Sequence, residues 1–370
     1  MNKLKISQPY ILPNKNIKLQ NRTVLAAMTN KQSYDNGIIS DDEIKWLFER
    51  AKGGFGIITT AATNVSKEGK AWNGEFGVYD NSHIPNLIKL TSTIHKTQSL
   101  IIAQLFHGGL KSPQKITGSI PISPSKLKCN ESFTGKSKEA SEKDIKKVID
   151  DFTASAIRCY KSGFDGIELH GAHGYLISQF LGKITNKRKD HWGGDLGGRA
   201  KLLIKIYKSI RKNVPEKFII GVRISPEIEN IGIYLNDSIK LVDILRKLSV
   251  DFIHLSCWDV FYKIKSNKNN QRTLTQIIKE SYENLPTIIS TGNIWSSLDA
   301  NNLLKQGADL VGVGRVAIRY PNWANNISDL NYNPNRPPYT VNELKKAKLN
   351  NTFISYMKNW NNFVKYDYQK

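Results

Sequence analysis

The sequence has little cysteine and no long apolar run. Its 370 residues include only three cysteines, Cys129, Cys159 and Cys257, without a Cys-x-x-Cys pair. This excludes a disulfide framework and the common zinc and iron–sulfur motifs. No stretch approaches the roughly 20 apolar residues of a membrane span, and Met1–Tyr10 lacks the apolar run of a secretion signal. We therefore expect a cytoplasmic protein with neither a metal nor a membrane partner.

Acidic residues are scarce relative to basic ones. There are 54 Lys and Arg against 32 Asp and Glu, which gives a formal net charge of +22. Such an excess is typical of nucleic-acid-binding proteins. However, only 12 of the 54 are arginines, and the lysines are spread along the chain instead of forming a stripe. Because dispersed lysines mostly form a solvated surface, no nucleic-acid partner is expected.

Eight short apolar runs alternate with longer segments of helical periodicity. The runs are nearly continuous, as expected for parallel strands buried on both faces. The predicted strands are Thr23–Met28, Gly56–Ala62, Leu100–Phe106, Gly166–Gly171, Phe218–Ser225, Asp251–Cys257, Pro286–Gly292 and Asp309–Arg315. The predicted helices are Asp41–Lys52, Ile84–Thr97, Glu142–Ser162, Arg199–Asn213, Asp237–Leu248, Leu274–Glu283 and Ser297–Gln306. This alternation predicts an α/β fold, a (β/α)8 TIM barrel.

Two long insertions and a C-terminal segment complete the predicted organisation. Lys111–Lys138 follows the third strand and Tyr175–Gly198 follows the fourth, and loops of this length inside a compact domain are usually functional. Three prolines after Asn331 precede a predicted helix near Val341–Trp360. We therefore predict a barrel over residues 1–335 and a helical extension over residues 336–370 that packs on it.

The ends of the last two predicted strands contain glycine and arginine. In a barrel of this kind the active site lies at the C-terminal ends of the strands, and a phosphate commonly binds near the seventh and eighth. Gly292 and Gly314 allow close backbone approach, and Arg315 can pair with a phosphate. The sequence lacks a Gly-x-Gly-x-x-Gly fingerprint, so a mononucleotide such as FMN fits better than a dinucleotide.

Three polar rings, His170, His173 and Tyr175, follow the fourth strand within six residues. Together they could hydrogen-bond an oxygen and supply a proton. A metal site that also includes Glu168 is the alternative, but this spacing matches no common zinc motif. Arg223 lies in an apolar run, where an unpaired cation would be costly. It therefore requires an anionic partner, for which a reduced flavin is one candidate.

Four stretches of the chain form a recognisable pattern. They are Asn21–Thr29, Gln104–Gly109, Gly163–Leu181, which contains His-Gly-Ala-His-Gly-Tyr, and Thr185–Arg199. Together they resemble the Old Yellow Enzyme family of FMN-dependent (β/α)8 barrel oxidoreductases, which includes ene-reductases and NADH:flavin oxidoreductases. The resemblance covers roughly Leu19 to Asn325.

This resemblance implies a role for each matching residue. His170 and His173 would bind a carbonyl oxygen of the substrate, and Tyr175 would donate the proton. The implied FMN-binding residues are Ala27, Met28, Thr29, Ala62, Gln104, Arg223, Gly292, Asn293, Gly314 and Arg315. NADH or NADPH would supply electrons, and an electrophilic alkene conjugated to a carbonyl or nitro group would accept them.

The sequence departs from the family pattern near the expected site. Ala27 replaces the usual proline, and Gly182-Lys183 replaces a Ser-Pro stretch. Leu110 stands where an arginine often follows His107-x-Gly, which places a neutral side chain near the site mouth. The preference for substrate or pyridine nucleotide is therefore expected to differ from that of close relatives.

Two rival functions remain open from the sequence alone. A flavin barrel that reduces uridine in tRNA, similar to the dihydrouridine synthases, would explain the basic charge, but Cys129 lacks the loop context of their catalytic cysteine. A non-catalytic flavin-binding barrel would not require the polar residues at the strand ends. The sequence decides neither the physiological acceptor, nor NADH against NADPH, nor whether the chain forms a homo-oligomer.

Overall fold

Eight parallel strands form a closed barrel in a computed structural model that describes residues 4–13, 15–264 and 271–365. Residues 366–370, at the end of the predicted extension, lie outside the described residues. The strands are β1 (Thr23–Leu25), β2 (Ile57–Asn64), β3 (Leu100–Phe106), β4 (Gly166–Gly171), β5 (Ile219–Ile224), β6 (Phe252–Ser256), β7 (Thr287–Thr291) and β8 (Leu310–Val313). Each pairs with the next, and β8 pairs with β1. The predicted TIM barrel is confirmed.

The strands lie where the apolar runs predict them, apart from their ends. β1 stops at Leu25, before the predicted end at Met28. After Ala26, whose N–H still donates to the Val313 carbonyl oxygen at 2.9 Å, the chain leaves the sheet, and the Ala27 carbonyl oxygen instead accepts from Arg223. Because the chain leaves the sheet here, the Ala27 carbonyl oxygen is available as an acceptor at the barrel mouth.

The barrel interior is filled in layers because alternate residues of each strand point inward. The lowest layer is apolar and packs against Leu12 and Leu19 of an N-terminal hairpin (Tyr10–Leu12 and Ile17–Leu19). Its members are Val24, Ile57, Ile102, Ile219, Phe252, Ile289 and Leu310. Gly221 is required beside it, since a Cβ there would lie 2.0 Å from the Phe252 ring. The hairpin therefore closes the end of the barrel opposite the predicted site.

In the described part of the chain, eight helices surround the strands. They are α1 (Asp41–Lys52), α2 (Ile84–Ile94), α3 (Glu142–Lys161), α4 (Leu196–Asn213), α5 (Leu235–Lys247), α6 (Leu274–Ser281), α7 (Ser297–Lys305) and α8 (Arg315–Arg319). Capping boxes fix the starts of α3, α6 and α7, where Ser141, Thr273 and Ser296 each accept from the third helical N–H. Among the described residues, no helix is long and apolar enough to cross a membrane.

Both long insertions contain short elements of their own. The first includes a helix, Gln114–Thr117, and a pair of two-residue strands, Ile122–Ser123 and Lys138–Glu139. The second starts with a helix, Leu176–Leu181, immediately after Tyr175. Both follow strands at the C-terminal end of the barrel, so they border the predicted site.

The single helix predicted near Val341–Trp360 is in fact two, Val341–Lys346 and Asn351–Met357. Lys348 adopts a left-handed conformation, with φ of 68°, which interrupts the helical path. Asn350 then accepts from the Phe353 N–H at 2.9 Å and starts the second helix. The break therefore divides the segment into two short helices.

Arg50 on α1 joins three parts of the molecule. It is fully buried, and its guanidinium lies 4.1 Å from the Trp46 ring centroid. Its nitrogens donate to four backbone carbonyl oxygens at 2.7 to 3.0 Å. These belong to Trp46, Ala317, Ile318 and Ala347. One side chain therefore connects α1 with α8 and with the C-terminal segment.

Arg50→Met should lower the free energy of unfolding by about 3 kcal/mol, because several buried carbonyl groups lose their donor. Urea denaturation followed by circular dichroism measures the change. Lys45→Met removes the same charge from an exposed position of the same helix, and it should cost less than about 0.5 kcal/mol. Equal stability of the two variants would contradict the structural role of Arg50.

Candidate active site

The predicted site residues meet at the C-terminal end of the barrel. Strand register pairs Ala62 with Gln104 across β2 and β3, and His170 with Arg223 across β4 and β5. The segment from Ala27 to Thr29 follows β1, the pair Gly292 and Asn293 follows β7, and the pair Gly314 and Arg315 follows β8. All of these positions therefore border the C-terminal mouth of the barrel.

A layer of connected polar side chains lies directly above the apolar barrel floor. The Gln104 amide donates to Glu168 at 2.6 Å. The other Glu168 carboxylate oxygen lies 2.7 Å from His254 Nδ1, and His254 Nε2 lies 2.6 Å from the Thr291 hydroxyl. All four side chains are buried. They form a continuous chain of hydrogen bonds from β3 to β7.

The protonation states in this chain follow from its partners. Burial by itself raises the pKa of Glu168, but the hydrogen bonds from His254 and Gln104 and the charge of Arg223 outweigh it, so the pKa falls below its usual value. Burial lowers the pKa of His254. Glu168 is therefore a carboxylate and His254 a neutral ring, so Nδ1–H donates to Glu168 and Nε2 accepts from Thr291.

Arg223 places a buried cation at the top of this layer. Its Nη2 donates to the Ser256 hydroxyl at 3.0 Å and its Nη1 to the Ala27 carbonyl oxygen at 3.4 Å. Burial lowers its pKa while the nearby Glu168 charge opposes the change. Arg223 Nε is buried and has no hydrogen-bond partner among the described residues. A further acceptor at the barrel mouth would satisfy this group.

The two histidines of the predicted site pack edge to face, with an angle of 81° between their rings. Their ring centroids are 5.0 Å apart. His170 Nδ1 accepts from the Ala172 N–H at 3.3 Å, so its Nε2 carries the proton. His173 adopts a φ of 60°, and its Nε2 lies 2.7 Å from the Ser256 hydroxyl. This left-handed conformation turns the His173 ring back over the strand ends.

Both histidines are neutral at physiological pH. Loss of hydration among the surrounding groups, together with the positive charges of Arg223 and Lys111, lowers the pKa of His173 to about 3. The same influences, with burial the largest, hold the pKa of His170 well below its usual value. His173, the more exposed of the two rings, is influenced by both cations. The pair therefore offers neutral N–H donors rather than imidazolium ions.

Tyr175 packs against three aromatic rings beside the histidines. Its ring centroid lies 4.9 Å from that of His170, 5.0 Å from Phe106 and 6.4 Å from Trp72. Burial raises the pKa of Tyr175. The phenol is therefore fully protonated and held in one position, as a proton donor requires.

Gln179 holds together the two loops that carry the predicted motifs. Its side-chain oxygen accepts from the Leu110 N–H at 3.1 Å, and its amide donates to the carbonyl oxygens of Gly108 and Gly174. Gly109 is required because a Cβ there, at a φ of 60°, would lie 2.3 Å from the Gln179 oxygen. The loop after β3 is thus fixed against the loop that carries Tyr175.

At the predicted phosphate site, the groups available to a ligand belong mainly to the backbone. A Cβ at Gly292 would lie 2.4 Å from the Cys257 carbonyl oxygen, so this position requires glycine. The Asn293 amide donates to Asp259 at 3.0 Å and therefore does not point freely at the site. Arg315 is exposed, with its guanidinium 6.0 Å from the Trp295 ring centroid. Backbone N–H groups and Arg315 are the donors available to an anion here.

The C-terminal segment also reaches the site. The Tyr356 side chain lies near Thr29, which partly offsets the rise in the pKa of Tyr356 that burial causes, and Lys31 lies 5.0 Å from the Tyr356 ring centroid. In the same helix, Phe353 packs edge-on against Trp46 of α1. This segment therefore forms one wall of the mouth.

Sequence reasoning missed three residues of this arrangement. Glu168 was considered only as a metal ligand, whereas its carboxylate binds Gln104 and His254. In the described residues no group of three or more His, Cys, Asp or Glu side chains could hold a metal ion. His254 could have been found, because it interrupts an apolar strand just as Arg223 does. Lys111 lies on a long polar loop, so no interrupted apolar run distinguishes it from the other lysines in the sequence.

Glu168→Gln should lower the free energy of unfolding by about 3 kcal/mol, because it leaves the buried Arg223 cation without its counter-charge. The matched control is Glu280→Gln, which removes an exposed partner of Arg272 and should cost less than about 1 kcal/mol. Urea denaturation of both variants measures the difference. A Glu168→Gln protein as stable as the control would show that the buried carboxylate is not charged.

Comparison with known proteins places this geometry in a family. Residues 8–333 match the sequence profile of the NADH:flavin oxidoreductase / NADH oxidase family. A probable NADH-dependent flavin oxidoreductase of Bacillus subtilis, YqiG, is 33% identical over 83% of this chain and 83% of that protein. An NADPH dehydrogenase of Clostridium acetobutylicum is 33% identical over 86% of this chain and 93% of its own length.

A solved structure shares the fold. An Old Yellow Enzyme homologue from Zymomonas mobilis superposes with a TM-score of 0.77 at 24% sequence identity, over 89% of this chain and 94% of that one. The family match, the relatives and the barrel agree with one another. The chain therefore belongs to the NADH:flavin oxidoreductase / NADH oxidase family, the Old Yellow Enzyme family, and is an FMN-dependent NAD(P)H oxidoreductase.

Proposed function

We propose that this oxidoreductase reduces small electrophilic alkenes conjugated to a carbonyl or nitro group. The observation that carries the proposal is the set formed by His170, His173 and Tyr175. Two neutral N–H donors and a protonated phenol lie side by side, with ring centroids 4.9 to 5.0 Å apart. Such a set can bind an oxygen that gains negative charge and protonate a neighbouring carbon.

The polar residues at the barrel mouth fit a flavin. The buried, unpartnered Nε of Arg223 fits the electron-rich N1–O2 edge of the ring. The Gln104 amide donates to Glu168, so its carbonyl oxygen is left to accept from the pyrimidine N–H. Ala27, Met28, Thr29 and Ala62 would contact the ring, with Thr29 at its O4 edge. Gly292, Asn293, Gly314 and Arg315 would hold the phosphate.

When bound, FMN would take a hydride from NADH or NADPH and pass it to the β carbon of the alkene. The alkene gains two electrons and two hydrogens, while NAD(P)H is oxidised. His170 and His173 would donate hydrogen bonds to the activating oxygen and stabilise the charge that develops on it. Because the histidines are already neutral donors, they need not lose a proton before the substrate binds.

Tyr175 would complete the reaction by protonating the α carbon. A phenol has an ordinary pKa near 10, and burial raises the pKa of Tyr175 further. It nevertheless remains an effective acid, since the enolate that it protonates is more basic. Its packing against Phe106 and Trp72 holds the hydroxyl in a fixed place, which is as important as its acidity.

Tyr175→Phe should slow reoxidation of the reduced flavin by cyclohexenone by about 10²- to 10⁴-fold, the usual contribution of a general acid. Reduction of the flavin by NAD(P)H should change far less, because that step needs no proton from Tyr175. Anaerobic stopped-flow absorbance separates the two half-reactions. Tyr160→Phe, at an exposed position on α3, is the control. An unaltered alkene half-reaction in Tyr175→Phe would refute the assigned role.

A further inference from the structure

Lys111 places an ammonium group beside the candidate catalytic residues. Its Nζ donates to the His173 carbonyl oxygen at 2.7 Å and lies 5.0 Å from the Tyr175 ring centroid. One hydrogen bond leaves two of its three donors available. The side chain itself is exposed to the mouth. A ligand that reaches Tyr175 would therefore come within range of this charge.

The geometry of the loop places the Lys111 side chain at the site. Gly109 turns the chain with a φ of 60°, and the Leu110 N–H is held by Gln179. The Lys111 N–H then donates to the Gly108 carbonyl oxygen at 3.1 Å, which closes a short turn. Lys111 extends from this turn across Gly174, where an added Cβ would lie 3.5 Å from Nζ.

Among the residues that the structure describes, no acidic group pairs with Lys111. Within the described ranges, no carboxylate lies within ion-pair distance of its Nζ. Glu168 is 1% exposed, sealed in the layer below, and committed to Gln104 and His254. Glu75, the other acid near Tyr175, is buried and accepts from the Ala71 N–H at 3.0 Å, and burial raises its pKa well above its usual value. Lys111 therefore brings a positive charge to the substrate side of the site without a carboxylate in ion-pair range.

We propose that Lys111 is a specificity-determining residue that binds a carboxylate, so that the favoured substrates are activated alkenes carrying a carboxylate group. The ammonium would pair with the carboxylate while His170 and His173 hold the activating carbonyl oxygen. This inference rests on the proposed alkene reduction, and it adds the charge of the substrate. It also assigns a role to Lys111, which follows Leu110, the position at which the family often has an arginine.

The kinetic test compares trans-β-acetylacrylate with its methyl ester, which have the same ketone and alkene but differ in charge. The FMN-loaded wild-type enzyme should prefer the acid, mainly through a lower KM. In Lys111→Met the ratio of kcat/KM for acid to ester should fall about ten-fold, the value of one charge-assisted hydrogen bond. Lys111→Arg should restore the preference, and Lys115→Met, an exposed lysine on the same loop, should retain it.

A binding measurement separates failure of this inference from failure of the proposed reaction. Titration calorimetry of the oxidised FMN-loaded enzyme with benzoate and with benzamide requires no turnover. Benzoate should bind more tightly than benzamide, and Lys111→Met should abolish the difference. A difference that persists in Lys111→Met, or that is absent from the wild type, would overturn the role of Lys111. Loss of turnover with all alkenes, alongside Lys111-dependent benzoate binding, would instead overturn only the proposed reaction.

Discussion

The ionised carboxylate of Glu168 is the constraint around which the barrel interior is arranged. A charge that is nearly removed from water must be paired and hydrogen-bonded. Here one oxygen accepts from Gln104 and the other from His254, while Arg223 supplies the counter-charge. Each of these partners is thereby fixed in position at the level where the flavin would lie. The carboxylate also accounts for the placement of Arg223, whose burial would otherwise be prohibitive.

The neutrality of His170 and His173 is connected with the same layer. Loss of hydration is the largest influence on the pKa of His173, and the positive charges of Arg223 and Lys111 also oppose a further proton there. The negative charge of Glu168 lies in the layer below these two histidines, where the carboxylate accepts a hydrogen bond from His254. His170 and His173 can therefore act as neutral donors, and the site retains a positive charge for anionic groups. The overall charge of +22 is mostly a dispersed lysine surface, in which Lys111 is distinguished by its position.

The sequence predicts the barrel well because parallel strands buried on both faces are continuous apolar runs, and all eight runs form strands. It also identifies the polar residues at strand ends, since His170, Tyr175 and Arg223 follow or interrupt such runs. It does not reveal which polar groups pair across the barrel. The contact between Glu168 and His254 joins residues 86 positions apart and depends on strand register. The C-terminal segment was predicted as one helix because its periodicity continues through the turn at Lys348.

The central claim is that this barrel binds FMN and passes electrons from a nicotinamide to an activated alkene. The most direct measurement is the visible spectrum of the FMN-reconstituted protein under anaerobic conditions, through a single reaction cycle. Addition of NADH or NADPH should bleach the flavin band, and addition of cyclohexenone should restore it with formation of cyclohexanone. Protein that cannot be reconstituted with FMN, or a bleached flavin that no enone or nitroalkene reoxidises, would contradict the account.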